Sequence, residues 1–86
     1  MDYYYVYVLR SIDLERNYVG FTKNLTERLK QHNSGKTKST KPYKPWKVLF
    51  YEVYNTKEKA LEREKFLKTG QGRDYIKQKW PRSITE

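Results

Sequence analysis

Five side chains of this 86-residue chain could do chemistry together: Tyr7, Tyr18, Arg28, His32 and Glu64. Glu64 offers a carboxylate for a hard cation such as Mg2+, which prefers oxygen ligands and keeps several waters. Arg28 offers a guanidinium for a phosphate. Two phenols and an imidazole could handle the proton of a water molecule. A metal ion beside them would lower the pKa of a bound water and stabilise a leaving oxygen. A free tyrosine near pKa 10 is a poor base at neutral pH, but adjacent cations would lower it.

Helical phase gives three of these residues their weight. Asn24 reads as a helix N-cap, with Glu27 three residues later in capping-box position. At 100° per residue, Leu25 and Leu29 define the inward stripe of that helix. His32 falls between them and Arg28 lies on the flank, so a histidine and an arginine share the face that should bury. A plainer reading makes Arg28 a snorkelling side chain with a wet head. It makes His32 a hydrogen-bonded core histidine or a last-turn residue. In a second helix, Ala60, Leu61 and Leu67 mark an apolar arc with Glu64 near its middle. A carboxylate there is costly unless it is paired or metal-bound. A salt bridge, with Arg28 as a candidate partner, would satisfy it as well as a metal would.

The elements that must position these residues follow from composition and punctuation. Residues 3–10 (YYYVYVLR) are β-branched and aromatic and predict a strand. Tyr3, Tyr5, Tyr7 and Leu9 should share one face, with Val6 and Val8 on the other. Ser11 to Arg16 predicts a turn and Asn17 to Phe21 a second strand, forming a hairpin that brings Tyr7 and Tyr18 onto adjacent strands. The first helix should stop at Ser34-Gly35. A loop follows, in which Pro42 and Pro45 should prevent regular structure. Trp46 to Tyr54 predicts a third strand. Asn55 or Thr56 should cap a second helix running to about Thr69-Gly70, and a shorter helix should span Arg73 to Lys79 before Pro81. The order β-β-α-β-α-α predicts an α+β fold, a small three-stranded, mainly antiparallel sheet packed by helices. Residues 1–80 should form one domain, with 81–86 a flexible tail.

The chain carries +9 net charge and no cysteine. Without cysteine there is no disulfide framework and no thiolate metal site, which suits a reducing cytoplasm. No segment has the roughly 20 apolar residues of a membrane span. From Phe21 to Lys47 there are eight Lys or Arg and one acid. Such a run attracts a polyanion, nucleic acid before membrane. Lys36, Lys38, Lys41 and Lys44 are the candidate phosphate contacts. Ser34, Gly35, Thr37, Ser39, Thr40 and Tyr43 are able to hydrogen-bond phosphates beside them. A solvated basic loop is the plainer reading of the same run.

The motifs resemble those of the GIY-YIG nuclease superfamily, and most closely its small stand-alone bacterial excinuclease-C-like members. The likeness covers roughly residues 3–79. It rests on Tyr5-Val6-Tyr7, Tyr18-Val19-Gly20, Leu25 to Lys36 (LTERLKQHNSGK), Lys41 to Trp46 (KPYKPW) and Glu58 to Lys68 (EKALEREKFLK). The resemblance implies a metal-dependent endonuclease, acting on DNA more readily than RNA, with a link to excision repair. It implies that Tyr7 helps deprotonate water, assisted by Tyr18 and His32. Arg28 would stabilise the scissile phosphate, and Glu64 would hold Mg2+ or Mn2+ on the leaving-group side. Sequence specificity would come from a protein partner, since members often borrow it from a second domain. Two departures stand out: the first motif carries Tyr5 where the family has Gly, and residues 69–79 hold no clear match to the family's later Asn. They keep a second reading open, a nucleic-acid-binding module on a nuclease fold without turnover.

Overall fold

A computed structural model describes residues 2–79; the expected helix stop at Pro81 and the tail over 81–86 lie outside the described residues. Three strands form one open antiparallel sheet, β1 (Tyr4–Ser11), β2 (Asn17–Thr22) and β3 (Trp46–Tyr54), in the order β2-β1-β3. Three helices complete the fold: α1 (Leu25–Ser34), α2 (Lys57–Leu67) and α3 (Gly70–Gln78). The α+β class and the element order are those expected from the sequence.

β1 is the central strand and is covered on both faces. Val6 and Val8 face Ala60 and Leu67 of α2 and Ile76 of α3. Tyr7 and Leu9 face the other way, against Trp46 and the α1 leucines Leu25 and Leu29. These four β1 residues are at most 1% exposed. The sheet is therefore the middle layer of three. The fully buried side chains on the α2–α3 side are aliphatic and ringed by aromatics, whereas the α1 side is built on a tyrosine.

Each helix starts at a side-chain cap. Asn24 accepts from the Glu27 amide at 3.0 Å, Thr56 from Lys59 at 3.3 Å and Thr69 from Gly72 at 3.1 Å. The last cap is a correction. α2 ends at Leu67, and Thr69 serves both helices: its hydroxyl donates to the Phe66 carbonyl of α2 at 2.6 Å and accepts from the Gly72 amide that opens α3, which starts at Gly70 rather than Arg73. Gly72 permits the tight α2–α3 corner, since a Cβ there would collide with the Phe66 carbonyl and the Leu67 backbone. The expected apolar arc of α2 is also narrower than its sequence suggests. Ala60 and Leu67 are buried, but Leu61 is 39% exposed. The rest of that face is taken by Arg63, which pairs with Glu52 of β3 at 2.8 Å and stacks on Phe66 and Tyr75.

The basic segment is more ordered than a proline-broken loop. Lys41–Tyr43 forms one 3-10 turn with Pro42 in its first positions, where a missing N–H costs little. Thr40 is 1% exposed, and the Trp46 indole donates to its carbonyl at 2.9 Å. Asn33, at the end of α1, exchanges two hydrogen bonds with the Trp46 backbone, at 2.6 and 3.0 Å. The segment is thereby tied to both α1 and β3.

Candidate active site

The site is built where β1 crosses β2. Tyr7 lies opposite Gly20 in the sheet register. A Cβ on Gly20 would sit 2.7 Å from the Tyr7 hydroxyl oxygen and 2.8 Å from the ring carbon that bears it. The absence of that Cβ lets the phenol lie over β2 and reach α1. There its oxygen is 3.0 Å from Nε2 of His32, one turn beyond Arg28 on the same helix.

The proton positions follow from counting acceptors. Nδ1 of His32 is 2.8 Å from Oγ1 of Thr40, which is 3.3 Å from the Thr37 carbonyl. If Thr40 donates to Thr37, it accepts from Nδ1–H, and Nε2 is left to accept the Tyr7 O–H. The opposite tautomer would leave the Tyr7 hydroxyl proton without an acceptor among the described residues. With Tyr7 1% exposed, that arrangement is disfavoured. The assigned chain therefore runs Tyr7 to His32 to Thr40 to Thr37.

Arg28 completes the cluster. Its Nε donates to the Tyr7 oxygen at 3.4 Å, and its Nη1 donates to Gln31 at 2.7 Å. Tyr18 packs its ring 4.8 Å from His32 and 6.2 Å from Tyr7, centroid to centroid. Charges respond accordingly. Burial, more than any other cause, raises the Tyr7 phenol above its ordinary value. The Arg28 hydrogen bond and charge oppose that rise, while Tyr18 and Glu64 add to it. His32 is pushed down to about 4, by burial first and the Arg28 charge second. Arg28 is held above its usual value, chiefly by the bond to Tyr7. At neutral pH the cluster thus holds one cation, a protonated Tyr7 and a neutral histidine.

Glu64 stands apart from this hydrogen-bonded group. It comes from α2, on the opposite face of the sheet, and forms no salt bridge with Arg28. Its Oε2 instead meets Lys68 at 3.3 Å, one turn along α2. Its side chain is 19% exposed, and its charge is felt at Tyr7. Oε1 has no hydrogen-bond partner among the described residues. No group of three or more His, Cys, Asp or Glu that could hold a metal occurs among the described residues. A cation here would rest on one carboxylate and its own waters, which suits Mg2+ better than Zn2+.

Lys36, Lys38, Lys41 and Lys44 are all exposed, and none is ion-paired among the described residues. Thr40 differs from its neighbours. The sequence makes it a candidate phosphate contact, but it is buried and its hydroxyl serves His32. Sequence reasoning missed Gln31 and gave Thr40 the wrong partner. Gln31 was findable, three residues after Arg28 on one helix face. Thr40 carried no signal, since a loop has no periodicity to place its side chains.

Comparison with known proteins identifies the family. The family model of the GIY-YIG catalytic domain matches residues 3–78. UPF0213 proteins of Staphylococcus aureus, from strains N315 and Mu50, are 37% identical over 87 residues, covering 100% of this chain and 99% of theirs. The solution NMR structure of a UPF0213 protein from Bacillus halodurans superposes with a TM-score of 0.55 at 28% identity, covering 88% of this chain and 83% of that one. With its paired tyrosine strands, helix arginine and matched relatives, the chain belongs to the GIY-YIG family, among the small UPF0213 proteins.

Proposed function

We propose that the protein is a metal-dependent endonuclease that hydrolyses phosphodiester bonds, in DNA before RNA. The observation that carries this reading is the Arg28–Tyr7–His32 cluster beside Tyr18, within electrostatic reach of Glu64. A cysteine-free chain working on DNA would suit the cytoplasm.

The roles divide by exposure. His32 is 0% and Tyr7 1% exposed, so neither ring meets bulk water. Tyr18 is only half-buried and takes the place nearest an attacking water. In this reading Tyr18 acts as its phenolate, orienting the water and taking up its proton as the water oxygen bonds to phosphorus. Tyr7, held by His32, fixes the Arg28 guanidinium, which faces the negative charge developing on the phosphate. The P–O bond to the leaving sugar then breaks. Glu64 is the residue that would hold Mg2+ or Mn2+, and the bound ion would supply water acidification and stabilisation of the leaving oxygen. Lys36, Lys38, Lys41 and Lys44 bind flanking phosphates without reading sequence, so a separate protein would direct the enzyme to its targets.

The test is cleavage of supercoiled and linear DNA with Mg2+ or Mn2+. Arg28→Ala and Glu64→Gln should each abolish nicking, and Tyr18→Phe should slow it more than Tyr7→Phe. Cleavage that survives both Arg28→Ala and Glu64→Gln would sink the assignment. The burial of Tyr7 favours one competing reading, nucleic-acid binding without turnover. Salt-sensitive binding with no metal-dependent cleavage would establish that alternative.

A further inference from the structure

A groove runs along the outer edge of β2 toward α3, and no candidate residue from the sequence lies in it except Tyr18. It consists of two adjoining cavities of about 500 and 680 Å3 that share Glu15, Asn17 and Arg73. The first is walled by Arg16 and Lys68 and floored by Val19, Leu67 and Ile76. The second continues past Arg73 to Lys77. Five cations line the two cavities against two acids, Glu15 and Asp74.

We infer that this groove binds the sugar-phosphate backbone of the nucleic acid, on the other side of the scissile phosphate from the Lys36–Lys44 segment. The inference rests on the nuclease reading above and extends it to a second contact surface. Three observations carry it. The groove adjoins the candidate active site, for Tyr18 and Lys68 line it and Lys68 is the ion-pair partner of Glu64. Its cations are spread along its length rather than converging, with Arg16 and Lys68 in the first cavity, Arg10 and Lys77 in the second and Arg73 in both. A single small anion needs convergent donors, whereas a polyanion needs them in a row. Finally, Arg16 places its guanidinium 4.6 Å from the ring centre of Tyr43, inside the basic segment. The hairpin tip thus joins the two cationic surfaces, one on the α1 side of the sheet and one on the α2–α3 side.

The experiment is binding of a 30-base-pair duplex in EDTA across a salt series, with wild type, Arg73→Glu/Lys77→Glu and the matched control Lys57→Glu/Lys59→Glu. Both pairs are exposed helix positions, and they change net charge equally. The groove variant should bind at least about tenfold more weakly than the control, and its log–log salt slope should be shallower by about 2, as when two phosphates are no longer neutralised. Arg73→Gln, which removes charge without adding repulsion, should lose about threefold while melting like wild type. Equal weakening of groove variant and control would overturn the groove and leave the nuclease reading intact. Failure of the wild type to bind at low salt would overturn both.

Discussion

His32 is the chain's single histidine, so its titration can be followed without assignment ambiguity. Its ring is 0% exposed, and burial together with Arg28 pushes its pKa from the ordinary 6.5 down to about 4. The unfolded chain therefore binds a proton between those values that the folded chain refuses. Stability from keeping the ring neutral is fully present above pH 6.5 and is lost as pH falls toward 4. The full drop is worth about 3 kcal/mol at most. Two assays read it. The imidazole carbon and nitrogen shifts in NMR should titrate with a midpoint near 4, and the neutral ring should carry its proton on Nδ1. Urea unfolding from pH 7 to 4 should cost wild type up to about 3 kcal/mol more than His32→Gln, since carboxylate titrations are common to both and cancel. Thr40→Val adds a sharper test. It removes the acceptor for Nδ1–H at nearly constant shape, costing about 1–3 kcal/mol, and should move the proton to Nε2. A wild-type midpoint at 6 or above, or a wild-type Nε2–H tautomer, would refute the assigned hydrogen-bond chain.

Gly20→Ala places a Cβ 2.7 Å from the Tyr7 hydroxyl, and Tyr7 is too enclosed to give way. It should destabilise the fold by about 1–3 kcal/mol in urea unfolding and reduce nicking more than the stability loss explains. Removing Arg63 leaves Glu52, only 21% exposed, without its ion-pair partner. Glu52 keeps its bond from Tyr54 and the pair is only part-buried, so Arg63→Ala should cost about 1–3 kcal/mol. Burial opposes ionisation of Glu52, but bonds from Arg63 and Tyr54 outweigh it and hold the carboxyl below its ordinary value. The stabilisation from this pair is thus present above pH 4.5 and lost as pH falls below it, so wild type and variant should converge in acid. Replacing Lys36, Lys38, Lys41 and Lys44 with Ala should flatten the salt dependence of DNA binding, measured by fluorescence anisotropy. Each phosphate that a removed lysine had neutralised should lower the log–log slope by about 0.9.

The sequence made the strands legible because β1 alternates between two buried faces, and Val6-Val8 and Tyr7-Leu9 differ in kind. It made α1 legible through Asn24 and Glu27, and the inward phase of His32 through Leu25 and Leu29. Where it failed, tertiary contacts outweighed local pattern. Leu61 looks apolar in the α2 arc, but Arg63 stacks on Phe66 and Tyr75 and bonds Glu52 in the space an aliphatic side chain would have taken. Thr69-Gly70 reads equally as a helix stop or a helix start, and it is both, for the Thr69 hydroxyl bonds the Phe66 carbonyl of α2 and the Gly72 amide of α3. Thr40 is buried because Trp46 and His32 both close on it, contacts separated from it by six and eight residues in an aperiodic segment.

The two motif glycines of the family meet different fates here, and the sheet explains why. Position 5 carries a tyrosine where the family has Gly, yet Tyr5 and Tyr7 are two residues apart on one face, about 7 Å along the strand. The Tyr5 ring pairs with Tyr51 of β3, 5.9 Å between centres. The Tyr7 ring lies on the opposite side of β1, over β2. A side chain at position 5 therefore extends away from His32 and Arg28 and leaves their hydrogen bonds intact. Position 20 has no such freedom, because the volume a Cβ would occupy is already filled by the phenol that reaches α1. The Gly that this chain retains is the one whose empty space the cluster uses. At position 5, by contrast, a side chain lies toward the neighbouring strand, where an aromatic ring finds a partner. By this argument Tyr5 does not disable the site, and loss of turnover, if found, would have to arise elsewhere, at the buried Tyr7 or in residues 69–79, where the family's later Asn has no clear match.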